Sequence, residues 1–177
     1  MDETYLGGEK EGKRGRGSVG KSLVLVGVED KEIGMGRIRF YRIADASSAS
    51  LLPAIRETVE PGSVVRTDGW AGYGLVGGKD YAHHVVRSTG QIGENLLPLV
   101  NRVVSLLKRW LAGTHQGAIW PSHLDYYLDE FAFRFNRRTS HSRGKLFYRL
   151  VQQAVAIQPT RAEDIKGGKA IMKPDTH

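Results

Sequence analysis

Apolar residues recur along this chain with two different periods. Ser22–Val28 (SLVLVGV) is a near-continuous apolar run, and Gly36–Ile43 (GRIRFYRI) alternates apolar with polar, so both are expected to be strands. Asp2–Leu6 is a further strand-like stretch with no lead-in, which suggests a chain that starts inside an element. Ser47-Ser48 can cap a helix on which Leu51, Leu52, Ile55 and Val59 share a face, and Pro61-Gly62 ends it. Ser63–Thr67 then reads as a strand, Trp70–Leu75 as a short helical turn, and Tyr81–Val86 as another strand. The remainder is helical. Leu96–Leu111 carries Leu97, Val100, Val104, Leu107 and Leu111 at helical spacing, a second helix runs from Pro121-Ser122 to Phe135, and a third covers Lys145–Val155. Phe131, Phe133 and Phe135 are expected in the core. This order makes an α/β domain over residues 1–155, followed by a polar tail over 156–177 expected to be loose.

Composition narrows the function classes. With 177 residues and 40% hydrophobic content the chain is long enough for one domain with its own core. Lys and Arg total 26 against 19 acids, a net charge of +7, which favours a polyanionic partner, nucleic acid first among them. Zero cysteines excludes disulfides and thiolate metal sites and fits a reducing cytoplasm. No apolar run reaches membrane-spanning length and no signal peptide opens the chain, so no membrane partner is expected.

Gly15–Ser22 (GRGSVGKS) matches the phosphate-loop pattern letter for letter. That motif works between a buried strand and a helix N-terminus. Here the upstream flank is the charged Glu9–Arg14 and the downstream flank is strand-like, so the segment reads as a basic loop and no nucleotide is expected.

Carboxylates carry the chemistry. Asp68 ends the strand Ser63–Thr67; in isolation it is better explained as the start of an Asp-Gly turn, and what shifts the reading is its company of Asp2, Asn101 and Lys108. Asp2 lies on the opening strand. If the two strands are neighbours in a sheet, the carboxylates converge on one hard cation, as Mg²⁺ requires. Glu94, Asn101 and Lys108 follow at seven-residue intervals, within about 20° of one another on one helix, and Asn101 is placed at the edge of the buried face. Asn101 can offer an amide oxygen and Lys108 can reach a phosphate; a boundary amide and a solvated lysine are the plainer alternatives.

Five stretches resemble bacterial insertion-sequence transposases of the branch whose catalytic domain follows an N-terminal zinc ribbon. They are DETYLGG at 2–8, GRGSVGK at 15–21, TDGW at 67–70, NRVVSLLKRWLAGTHQG at 101–117 and YLDEFAFRFNRR at 127–138. The resemblance implies a ribonuclease H-like fold, a mixed five-stranded sheet flanked by helices, with its first, central strand truncated here. It implies a catalytic set of Asp2, Asp68, Asn101 and Lys108, with Asp2, Asp68 and Asn101 as ligands to two Mg²⁺ or Mn²⁺ ions. The implied reaction is DNA strand cleavage and strand transfer at insertion-sequence ends, with self-association on DNA in a bacterial, nucleoid-associated setting. Relatives carry the zinc ribbon upstream, so a catalytic-domain fragment is expected.

Charge adds Lys13, Arg14, Arg16, Lys108, Arg109, Arg137 and Arg138 as DNA-phosphate contacts, which give salt-sensitive affinity without reading sequence. Trp110 is expected to pack its helix rather than stack on a base, and His115 and His123 to serve loops and caps rather than a metal. Two rival functions remain open: an inactive remnant acting as a basic DNA-binding or multimerising module, and a structure-selective nuclease.

Overall fold

The computed structural model describes residues 1–7, 21–116, 119–159 and 161–166, in two units, Met1–Pro121 and Ser122–His177. The first unit holds β1 (Asp2–Leu6), β2 (Ser22–Asp30), β3 (Met35–Ile43), α1 (Ser48–Thr58), β4 (Val64–Thr67), a 3₁₀ turn (Ala71–Tyr73), β5 (Ala82–Val85) and α2 (Pro98–His115). The order of elements is the one the hydrophobic pattern predicts.

The single five-stranded sheet is not found. Among the described residues the strands form an antiparallel sheet β1-β2-β3 and a parallel pair β4-β5. β1 is paired along its length with β2, from Asp2 opposite Val26 to Leu6 opposite Ser22, while β4 pairs with β5 from Val64–Ala82 to Thr67–Val85. No ladder joins β1 to β4; there the Met1 amine donates to the Arg66 carbonyl. A ladder needs successive bonds in register, and the four-residue β4 directs its pairing to β5.

Alternation gives the antiparallel sheet two buried faces. On one, Leu23, Leu25 and Ile43 join Met1, Leu51, Ala54, Ile55, Val65 and Tyr73 in a core cluster beneath α1. The opposite face carries the fully buried Val24 and Val26, and α2 packs against β1 and β2. Ile55 is completely enclosed, so Ile55→Ala removes buried methyl groups and leaves a cavity. A loss of about 2–5 kcal/mol in urea unfolding is expected.

The helix starts follow local rules. Ser47 caps α1, its hydroxyl accepting from the Ser50 amide. α2 begins at Pro98, whose ring restricts Leu97 to φ −129°, ψ 67°. The helix therefore cannot extend back to Glu94. Its buried residues are Val100, Val103, Leu107 and Leu111, so the stripe is centred on Val103 rather than on the half-buried Val104.

In the second unit, α3 (Leu124–Asn136) buries Leu124, Leu128, Phe131 and Phe135, with the Phe131 and Phe135 rings stacked at 6.0 Å. Phe133 is half-buried and carries the Arg137 guanidinium 3.8 Å above its ring. α4 (Arg143–Ala156) has no buried residue, and α5 (Ala162–Lys166) is a short helix within the tail expected to be loose.

Candidate active site

β4 delivers Asp68. Its alternation buries Val65 and Thr67, and the chain turns at once: the Asp68 carboxylate accepts from the Trp70 amide at 3.0 Å. The turn that Asp-Gly predicts is therefore present, with the carboxylate half-buried rather than splayed into solvent. Thr67, fully buried, donates to the Asp68 carbonyl at 2.8 Å and lies 2.8 Å from His83 Nε2 on β5. Burial, then the charges of the Met1 amine and His84, hold His83 below the usual histidine range.

Asp2 opens β1, half-buried, its Oδ1 accepting from the Glu3 amide at 2.9 Å. Burial pushes its carboxyl up to about 6, and the neighbouring Glu3 and Asp68 charges push the same way against the lowering effect of the Glu3 amide. Asp2 and Asp68 are thus brought within electrostatic reach of each other, across the junction where the Met1 amine meets β4.

Two side chains that sequence reasoning missed stand beside them. Tyr73, completely buried, donates its hydroxyl to Glu3 Oε2 at 2.7 Å, and burial followed by the Glu3, Asp2 and Asp68 charges raises its pKa. Gly72 makes that placement possible, since a Cβ there would lie 2.2 Å from the Ala46 carbonyl oxygen. The Ser48 hydroxyl bonds the Gly72 carbonyl and the Trp70 indole bonds the Ala46 carbonyl, each at 2.8 Å, which seats the turn on the start of α1.

α2 contributes the other expected residues from its flank. Asn101 is exposed rather than at the buried edge, because the stripe turns on Val103, and Lys108 is exposed on the same helix. The Asn101 amide nitrogen donates to Asn95 Oδ1 at 2.6 Å. Partial shielding of the Lys108 ammonium and then the Lys21 charge lower its pKa, so these two lysines lie within electrostatic reach of each other. Glu94 is off the helix and accepts from Ser88 Oγ and the Thr89 amide, both at 2.8 Å, which holds its carboxyl low. It ties a loop and does not share a face with Asn101. Among the described residues, no three His, Cys, Asp or Glu side chains cluster as a metal site.

The family model that matches is described as the ISXO2-like transposase domain, over residues 1–136. The chain belongs to the ISXO2-like transposase domain family. A curated relative, an uncharacterized transposase-like protein of Haemophilus influenzae, is 29% identical over 112 residues, 62% of this chain and 89% of the relative. No solved structure matches. Membership implies a transposition-related function and interaction with DNA.

The transposase domain places its basic residues unevenly. Lys13, Arg14 and Arg16 lie outside the described residues, as does Gly15–Gly20 of the phosphate-loop match. Lys21 is described, and Ser22 begins β2, so a strand follows where nucleotide binding needs a helix. Arg109 is exposed on α2. Arg137 and Arg138 engage the end of α3, with Arg138 4.0 Å above the Phe135 ring and bonded to the Phe135 carbonyl at 2.9 Å. Cations at a helix C-terminus complement its carbonyls. Trp110 meets the His115 ring edge-on at 5.0 Å, within its own helix, and His123 stands at the N-cap of α3. A cleft of about 770 Å³ lined by Tyr5, Lys21, Arg42, Asp45, Ser47 and Trp70 includes neither acid in its lining. Among the described residues, no helix is long and apolar enough to cross a membrane.

Proposed function

We propose that the chain is a ribonuclease H-like transposase catalytic domain that cleaves and joins DNA strands at insertion-sequence ends, with Asp2 and Asp68 as paired metal ligands. The observation that carries this reading is the half-buried Asp2, lifted to about 6 by burial first and then by the negative charges of Glu3 and Asp68. Acids gathered from two sheets at one junction offer oxygen donors that fit a hard cation such as Mg²⁺ or Mn²⁺, beside the Met1 amine that meets β4 there.

Asp2, Asp68 and the Asn101 amide oxygen would hold the metal; the Asn101 nitrogen is spent on Asn95, which leaves the oxygen as its ligand atom. A pair of ions held there would supply activation of the attacking oxygen and stabilisation of the leaving one. Lys108 and Lys21 place two cations along the flank of α2 and the start of β2, where they bind phosphate, and Arg109 adds a third. Lys13, Arg14 and Arg16 extend the same role to the β1–β2 connection. The setting is the bacterial cytoplasm, on nucleoid DNA.

A strand-transfer assay with pre-cleaved ends and Mn²⁺ tests the reading. Joined product supports it, and salt-sensitive DNA binding without joining refutes it. Cleavage of branched DNA without joining would instead identify a structure-selective nuclease.

One observation favours a second reading, an assembly module. α4 leaves Phe147, Leu150 and Val155 at 69%, 51% and 78% exposure. At 100° per residue Lys145 and Arg149 fall on the far side of α4 from Phe147 and Leu150, while Arg143 lies one turn before Phe147 on the same side. Phe147→Glu is expected to lower the molecular mass measured by light scattering from that of a dimer to that of a monomer.

A further inference from the structure

The two sheets carrying Asp2 and Asp68 share no ladder, so something else must fix the distance between the acids. Apolar packing of Met1, Val65 and Tyr73 holds the sheets together, but such packing is non-directional. The Arg66–Asp30 ion pair at 3.2 Å is exposed on both sides and therefore weak. The Met1 amine donates to the Arg66 carbonyl across the same junction, a backbone link; the Tyr73–Glu3 hydrogen bond is the link made by side chains, directional, with a fully enclosed donor, and it spans 70 residues of sequence.

It also closes a continuous path. The Asp68 carboxylate accepts from the Trp70 amide, and the Trp70 carbonyl accepts from the Tyr73 amide at 3.1 Å. The Tyr73 hydroxyl donates to Glu3, and the Glu3 amide donates to the Asp2 carboxylate. We propose that the Tyr73–Glu3 bond is the tie that sets the separation of Asp2 and Asp68, which makes Tyr73 and Glu3 positioning residues for the acid pair. The tie itself stands on geometry alone; its consequence for cation binding rests on the metal reading of the acids.

Two measurements on the full chain test it. In the first, hydrogen exchange is followed at the amides of Glu3, Trp70 and Tyr73, with Val24, Leu25 and Val26 as controls on the neighbouring strand. Tyr73→Phe is expected to speed exchange about tenfold at the first three and leave the controls unchanged, since only the junction is released. Glu3→Gln keeps an acceptor for the hydroxyl and is expected to retain wild-type exchange. This second variant preserves the test if Tyr73→Phe fails to fold. Unchanged exchange at the junction in Tyr73→Phe, or junction exchange in Glu3→Gln as fast as in Glu3→Ala, overturns the tie.

In the second measurement, Mn²⁺ binding is read by electron paramagnetic resonance. A fall of about tenfold or more in affinity is expected for Tyr73→Phe. Wild-type affinity in that variant overturns the positioning role. Wild-type protein that binds no Mn²⁺ while the exchange result holds refutes the metal reading alone, and the tie stands.

Discussion

Asp68→Asn is expected to abolish strand transfer, by at least about 10³-fold, while leaving the fold intact. The asparagine keeps an oxygen for the Trp70 amide that now bonds the carboxylate at 3.0 Å, so the turn into the 3₁₀ segment survives. What disappears is the negative charge that the proposed cation site beside Asp2 depends on. The change in urea stability should stay within about 1 kcal/mol, because the lost group is a single half-buried carboxylate whose bonded neighbour remains satisfied. Parallel assays of joining and unfolding separate this outcome from simple destabilisation. An Asp68→Asn protein that joins DNA at more than a tenth of the wild-type rate would remove Asp68 from the chemistry.

Asp2→Asn is expected to raise stability while also stopping activity. The Asp2 carboxyl titrates near 6 in the folded chain against an ordinary 3.8. Between those values the folded protein holds a proton that the unfolded chain has released, so stability falls as pH rises through that window and is level above it. The substitution removes the cost of the buried charge. After discounting for solvent screening of a side chain that is not fully enclosed, metal-free Asp2→Asn should exceed wild type by about 1–2 kcal/mol at pH 7.5. The gap should close near pH 4. Added Mg²⁺ should reverse the order, since it stabilises only the ionised pair. Urea unfolding at the two pH values, with and without Mg²⁺, reads all three effects.

The elements themselves were legible because each is punctuated locally. Ser47 caps α1 as its position suggested, and the 3₁₀ turn after Asp68-Gly69 falls within the stretch expected. What escaped depends on contacts that spacing cannot express. Seven-residue intervals put Glu94 on the face of Asn101, but Pro98 starts the helix four residues after it and the loop at 88–90 takes the carboxylate. The same periodicity admitted either Val103 or Val104 to the buried stripe, and the choice of Val103 moved Asn101 into solvent. The division into two sheets was hidden because β4 is short and its partner is decided by β5, not by its own residues. Tyr73 and Glu3 gave no local signal at all: a tyrosine five residues past an aspartate is unremarkable until the fold carries it to β1. Arg137 and Arg138 looked like free cations in sequence, yet the end of α3 uses both.

Asp2 and Asp68 are proposed to share one divalent-cation site. Anomalous diffraction from crystals of the full chain soaked in Mn²⁺ tests it most directly. A peak within coordination distance of both carboxylates is the expected result. A Mn²⁺ peak bound elsewhere, with none between Asp2 and Asp68, would contradict it.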